Sequence, residues 1–208
     1  MEPTAPTISE PSTHIDMKLA AIGLVSGIVA AMMMDTFSRL MQGHAGGREA
    51  PGATPGRERE GRGTQPAQAE GSAEQDATVQ IGTAAFRSVA GYTPGRETQQ
   101  WLGTAAHYAF SAAVGVNYLL ASERAPELRR GFGTVYGSLV WATADEGAVP
   151  ALGLSKRPNQ IPLGVHAYAL GAHWVFGATL EACRRISSSL LAAWEDSRGV
   201  IDVSAAEA

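Results

Sequence analysis

Five residues of this chain carry side chains that can exchange protons or hold a metal while standing in otherwise uncharged surroundings: His107, Asp145, Glu146, His166 and His173. His166 and His173 are seven positions apart, which at about 100° per helical residue leaves them about 20° apart around a helix and two turns apart along it. They face the same neighbour. His107 shares a helical face with Gly103 and Ser111, small residues of the kind that let helices approach closely. Asp145 and Glu146 are adjacent and so about 100° apart, which lets at most one of them look straight into that interface.

Three chemistries suit this set. Each histidine can hydrogen-bond a neighbouring helix while the carboxylates close the packing, a structural role. Histidines with one carboxylate can instead form a proton or small-ion path, since imidazole titrates near neutral pH and chains of His and acid inside a membrane are typical of relays. Finally, His107, Glu146, His166 and His173 can together ligate a divalent metal, which would make the chain a membrane metal-binding enzyme suited to hydrolysis, although their spacing matches no zinc motif and no other cofactor is expected. No nucleotide loop and no serine nucleophile motif accompanies them, so the sequence leans away from an enzyme.

The elements that must position these residues are long and apolar. Residues 158–180 form twenty-three positions without Asp, Glu, Lys or Arg, and residues 98–122 form twenty-five. About 20 such residues span a bilayer core as a helix. Residues 17–42 and 131–150 are similar but carry charge near their ends: Asp35 and Arg39 in the first, Asp145 and Glu146 in the second. Alanine, glycine and leucine dominate without period-two alternation, which excludes strands. The expected fold is all-α, an integral membrane bundle of four transmembrane helices: 17–42, 98–122, 131–150 and 160–194, the last ending in an amphipathic extension. Gly23 with Gly27, Gly103 with Ser111 and Gly115, Gly133 with Gly137, and Ala167 with Gly171 are the small-residue signals for packing.

Between the first two spans, residues 43–76 contain no Leu, Ile, Val, Met, Phe, Tyr or Trp. Such a segment buries too little apolar area to offset its ordering entropy, so 43–77 reads as a disordered loop. Residues 78–93 place Val79, Gly82, Phe86 and Val89 near one face and read as a short amphipathic helix. Polar tails over 1–16 and 195–208 complete the chain. The acidic start argues for a retained first helix over a removed signal. Arginines near the helix ends favour both termini in the cytoplasm.

Composition excludes other classes. Net charge is −4 with signs interspersed, leaving no basic footprint for nucleic acid. One cysteine, Cys183, rules out an intramolecular disulfide and a cysteine zinc cluster. The partners implied are the lipid bilayer and a second copy of the chain or another membrane protein. Asp35 reads as an intrahelical pair with Arg39, Trp101 and Tyr92 as interface anchors, and Asn117 as a hydrogen bond across helices.

His107, the run 114–118 leading to Glu123 and Pro126, residues 130–133, residues 150–154 with Pro158, and Gly171 to Trp174 followed by Glu181, Arg184 and Arg185 form a pattern over roughly residues 100–190. In these residues the chain resembles the YagU family of small bacterial inner-membrane proteins. The resemblance implies a multi-pass protein of the inner (cytoplasmic) membrane and brings no activity with it.

Overall fold

Two places where helix backbones touch organise the chain. The computed structural model describes residues 13–46 and 66–206, with side chains over 17–42 and 77–194, and no strand occurs among the described residues. The elements are α1 (Thr13–Gly46), α2 (Pro66–Ala90), α3 (Arg96–Arg124), a 3-10 turn at Pro126–Arg129, α4 (Thr134–Thr143), a π-helical turn at Ala144–Ala148, α5 (Val149–Ala151), a 3-10 turn at Pro158–Gln160, and α6 (Leu163–Ala206). Helix α1 packs along α3 and α6, α4 packs on α6, and α2 lies on α3.

The α1–α3 crossing is built on glycine. A Cβ added at Gly23 would stand 2.6 Å from the Val116 Cα, and one added at Gly27 would stand 2.7 Å from the Ala112 Cα. Gly115 answers from α3, where an added Cβ would meet Gly27 at 2.7 Å. Of the expected set, Gly103 turns away from this seam and meets Val79 of α2. At the α4–α6 crossing, Gly133 and Gly137 approach the backbone of Gly177 and His173. Gly177 was not among the expected contact residues, and a Cβ added at Gly171 would meet only the edge of the Phe37 ring, at 3.8 Å.

Between these crossings sits one apolar cluster, with Ala30 and Met34 from α1, Tyr118 and Leu119 from α3, Tyr136 and Val140 from α4, and Ala172, Phe176 and Leu180 from α6. Helices α3 and α4 are splayed, leaving an apolar cavity of about 360 Å³ against Phe110, Val114, Leu139 and Val140. Tyr136 bridges the gap: its hydroxyl lies 2.9 Å from both the Val114 carbonyl and Asn117 Oδ1, which gives Asn117 the cross-helix bond expected of it.

Several boundaries differ from expectation for identifiable reasons. The third span was expected to start at 131, but Gly131, Phe132 and Gly133 all have positive φ (61°, 55° and 86°), which turns the corner before α4. Two of the three are glycines, which adopt that region without steric cost. Helix α2 starts at Pro66, well before the expected 78, so residues 66–76 are helical where disorder was expected. Alanine, glutamine and glutamate favour a helix even where nothing apolar anchors it, and proline suits its first position. Residues 47–65 of that loop lie outside the described residues. Helix α6 continues to Ala206, through most of the expected tail.

Among the described residues one helix, over Met17–Gln42, is long and apolar enough to cross a membrane by length and composition. The uncharged runs of α3 and α6 fall short of that mark because Gln99, Gln100, His107 and Asn117, and likewise His166 and His173, dilute their alanine and leucine.

Candidate functional site: paired histidines and carboxylates

The π-helical turn in line with α4 positions both acids. In an α-helix adjacent residues point about 100° apart, whereas a π turn accommodates more residues per turn and narrows that angle. Both Asp145 and Glu146 therefore reach α6, where the expectation allowed only one of them. Glu146 Oε1 lies 2.5 Å from His166 Nδ1, and Asp145 Oδ2 lies 3.6 Å from His173 Nδ1. The chain runs in opposite directions along α4 and α6, so the earlier acid meets the later histidine. His173 and His166 keep only 7% and 16% of their side chains exposed.

The ring nitrogens of the two histidines are used differently. His166 Nε2 is 3.1 Å from the Pro158 carbonyl. A carbonyl only accepts, so Nε2 must carry a proton. The contact between Nδ1 and Glu146 then needs one more proton, held either on the imidazole or on the carboxyl. This pair therefore holds a shared proton in addition to that of neutral imidazole. At His173, Nδ1 donates to the Ala169 carbonyl at 2.9 Å, one turn back on the same helix, and a neutral ring is sufficient. Trp141 sets its ring edge-on to His166, centroids 6.5 Å apart, and its buried Nε1 has no hydrogen-bond partner among the described residues, nor has the Tyr168 hydroxyl.

His107 belongs to a different place. On α3 it faces α1, with Nε2 3.7 Å from Asp35 Oδ1, while the Tyr108 hydroxyl donates to Asp35 Oδ2 at 2.9 Å. Asp35 thus works across helices, which the intrahelical reading with Arg39 missed. The expected four-residue metal set of His107, Glu146, His166 and His173 is divided between the α1–α3 and α4–α6 contacts. Among the described residues no group of three or more His, Cys, Asp or Glu side chains is placed to hold a metal ion.

A third polar centre lies further along α6. Glu181 is fully buried and accepts from the Tyr118 hydroxyl at 2.6 Å, from Arg184 Nε and Nη2 at 2.7 and 2.8 Å, and from Arg185 Nε at 2.7 Å. In the sequence, Glu181, Arg184 and Arg185 stand out only as part of a family pattern. The signal for a buried site was available, because Glu181 lies one turn from both arginines and directly after a long uncharged run. For Asp35 the signal was the pair of small-residue stripes. Aligned antiparallel from Gly27 against Ser111, they bring Asp35 to within about a turn of His107.

No curated protein and no solved structure matches the chain. A family model does match, over residues 50–182, a span that contains His107, Asp145, Glu146, His166, His173 and Glu181 and begins after α1. That span is well over half of the chain, and the chain accordingly belongs to the DUF1440 family of proteins of unknown function.

Proposed function

We propose that this chain is a multi-pass protein of the bacterial inner membrane that takes up and releases protons at its buried His–carboxylate pairs. The observation that carries the proposal is the His166–Glu146 contact, which must hold a shared proton because His166 Nε2 is already committed to the Pro158 carbonyl. Ionisable groups at membrane depth are costly, and their pairing across helices marks ion and proton pathways. The second pair, His173 with Asp145, lies two turns further along the same face of α6 and offers a next stop.

Membrane residence is supported by what α1 leaves uncovered. Only 33% of its most apolar window is buried, and Leu24, Val25, Ile28, Met32 and Met33 are 41–63% exposed. A soluble protein rarely shows so continuous an apolar surface. Phe110 on α3, Leu139 on α4 and Trp174 on α6 add to it. With lipid as the surrounding solvent, α3, α4 with its π turn, and α6 complete the spans, both termini on the cytoplasmic side.

Proteoliposomes containing a pH-sensitive dye test the proposal. The wild-type chain is expected to dissipate an imposed pH gradient, and Glu146→Gln and His173→Asn, made separately, to return the rate to that of empty vesicles. Unchanged flux in both variants would sink it. The competing reading, an accessory component in which the pairs only fasten helices, is favoured by the backbone contacts at both glycine crossings, and it expects no flux from the wild type.

A further inference from the structure

Where α1, α2 and α3 meet, a cavity of about 400 Å³ opens between Asp35, Arg39 and Gln42 on one side and Gln100, His107 and Tyr108 on the other, with α2 contributing Thr78 and Val79. Cavities of this size hold small metabolites. It shares no residue with the His166–Glu146 and His173–Asp145 pairs, and a ligand can occupy it whether or not those pairs exchange protons.

The described lining contains one carboxylate, that of Asp35, and one guanidinium, that of Arg39. A ligand of net charge would leave one of these uncompensated, whereas a ligand bearing both signs matches each. Asp35 and Arg39 are one helical turn apart, about 6 Å along the axis. That separation suits a short molecule with an ammonium at one end and a carboxylate at the other. Asp35 is prepared for the ammonium. Its Oδ2 is fixed by the Tyr108 hydroxyl at 2.9 Å, and its Oδ1 stands 3.7 Å from His107 Nε2, beyond hydrogen-bond length, leaving lone pairs to accept from a ligand. A guanidinium presents several donors in a fixed fork that matches a carboxylate. Gln42 and Gln100 add neutral donors and acceptors within the same walls.

We propose that this cavity is a binding site for a short zwitterion of the amino-acid type, its ammonium on Asp35 and its carboxylate on Arg39.

The test is isothermal titration of the full-length protein in lipid nanodiscs with glycine, β-alanine and 4-aminobutyrate, and with butyrate and butylamine as single-charge controls. Saturable binding of at least one zwitterion, with neither control binding at the same concentrations, is the expected result. Arg39→Gln and Asp35→Asn should each weaken it by about tenfold or more, the loss of one charge-assisted hydrogen bond, while Arg157→Gln, exposed and outside the described lining, should leave it unchanged. Arg39 is exposed, so its variant should retain the fold even if the Asp35 variant does not. Absence of saturable binding by all three zwitterions, equal binding by butyrate or butylamine, or an undiminished affinity in Arg39→Gln would each overturn the proposal.

Discussion

Replacing Gly27 by leucine is expected to separate α1 from α3 and to leave little cooperatively folded protein. A single Cβ at Gly27 would already meet the Ser111 carbonyl oxygen, and would stand 2.7 Å from the Ala112 Cα and 2.8 Å from the Ser111 carbonyl carbon. All three obstacles are backbone, which cannot swing aside as a side chain can. Relief requires the two helices to move apart along the whole crossing, and Gly23 and Gly115 would then lose their contacts as well. Overpacking a close-packed site costs about 1 to 3 kcal/mol, and a leucine against backbone belongs at or above the upper end. Gly27→Ala should fall between leucine and the wild type. Gly164→Ala supplies the control, because nothing lies within 4 Å of an added Cβ there. In a helical first turn that change should be neutral or stabilise by up to about 1 kcal/mol. Thermal unfolding of the purified variants reads all three. A Gly27→Leu protein that melts with the wild type would mean that α1 and α3 do not cross at this point.

How far the sequence disclosed these features depended on whether one helix or two had to be known. The seven-residue spacing of His166 and His173 is a property of α6 alone, and both rings do lie toward one helix, where Glu146 and Asp145 meet them. The Gly23–Gly27 stripe was likewise readable, since it repeats at four residues within α1, and the Gly133–Gly137 pair has the same spacing although Gly133 stands just before α4. Features that depend on a second element were lost. Nothing in the residues 144–148 announced a π turn, and without it the angle between Asp145 and Glu146 comes out too wide for both to engage. His107 was grouped with the other histidines by residue type, whereas the register of α3 against α1 assigns it to Asp35. Composition separated α2 from its surroundings too late, because residues 66–76 have helix propensity without apolar content. The corner at 131–133 shows the same limit, as Phe132, at positive φ, meets a residue of α6: the Arg185 guanidinium lies 4.8 Å from its ring centroid.

That corner is tied to the most constrained charge in the described residues, and removing the charge should have a large effect. Glu181→Ala is expected to destabilise the protein by about 3 to 5 kcal/mol, the usual consequence of deleting one partner of a buried ion pair. The carboxylate is fully buried and receives hydrogen bonds from Tyr118 on α3 and from both Arg184 and Arg185 on its own helix. Arg185 is 58% exposed and can turn to solvent, but Arg184 is only 17% exposed. Tyr118 is completely buried, and its hydroxyl would be left without an acceptor. Arg185 would also lose the anchor that keeps it over Phe132, loosening the turn into α4. Glu181→Gln keeps the volume and one acceptor oxygen, so it should cost less than alanine and more than Tyr118→Phe, which forfeits one hydrogen bond at about 1 to 2 kcal/mol. The double variant Glu181→Ala with Tyr118→Phe separates the contributions. If the orphaned hydroxyl is part of the cost, the double variant should be more stable than the sum of the single losses predicts by about 1 kcal/mol, as neighbours in one network do. Strict additivity in thermal unfolding, or a Glu181→Ala loss below about 1 kcal/mol, would show that the Tyr118–Glu181 bond does not hold α3 to α6.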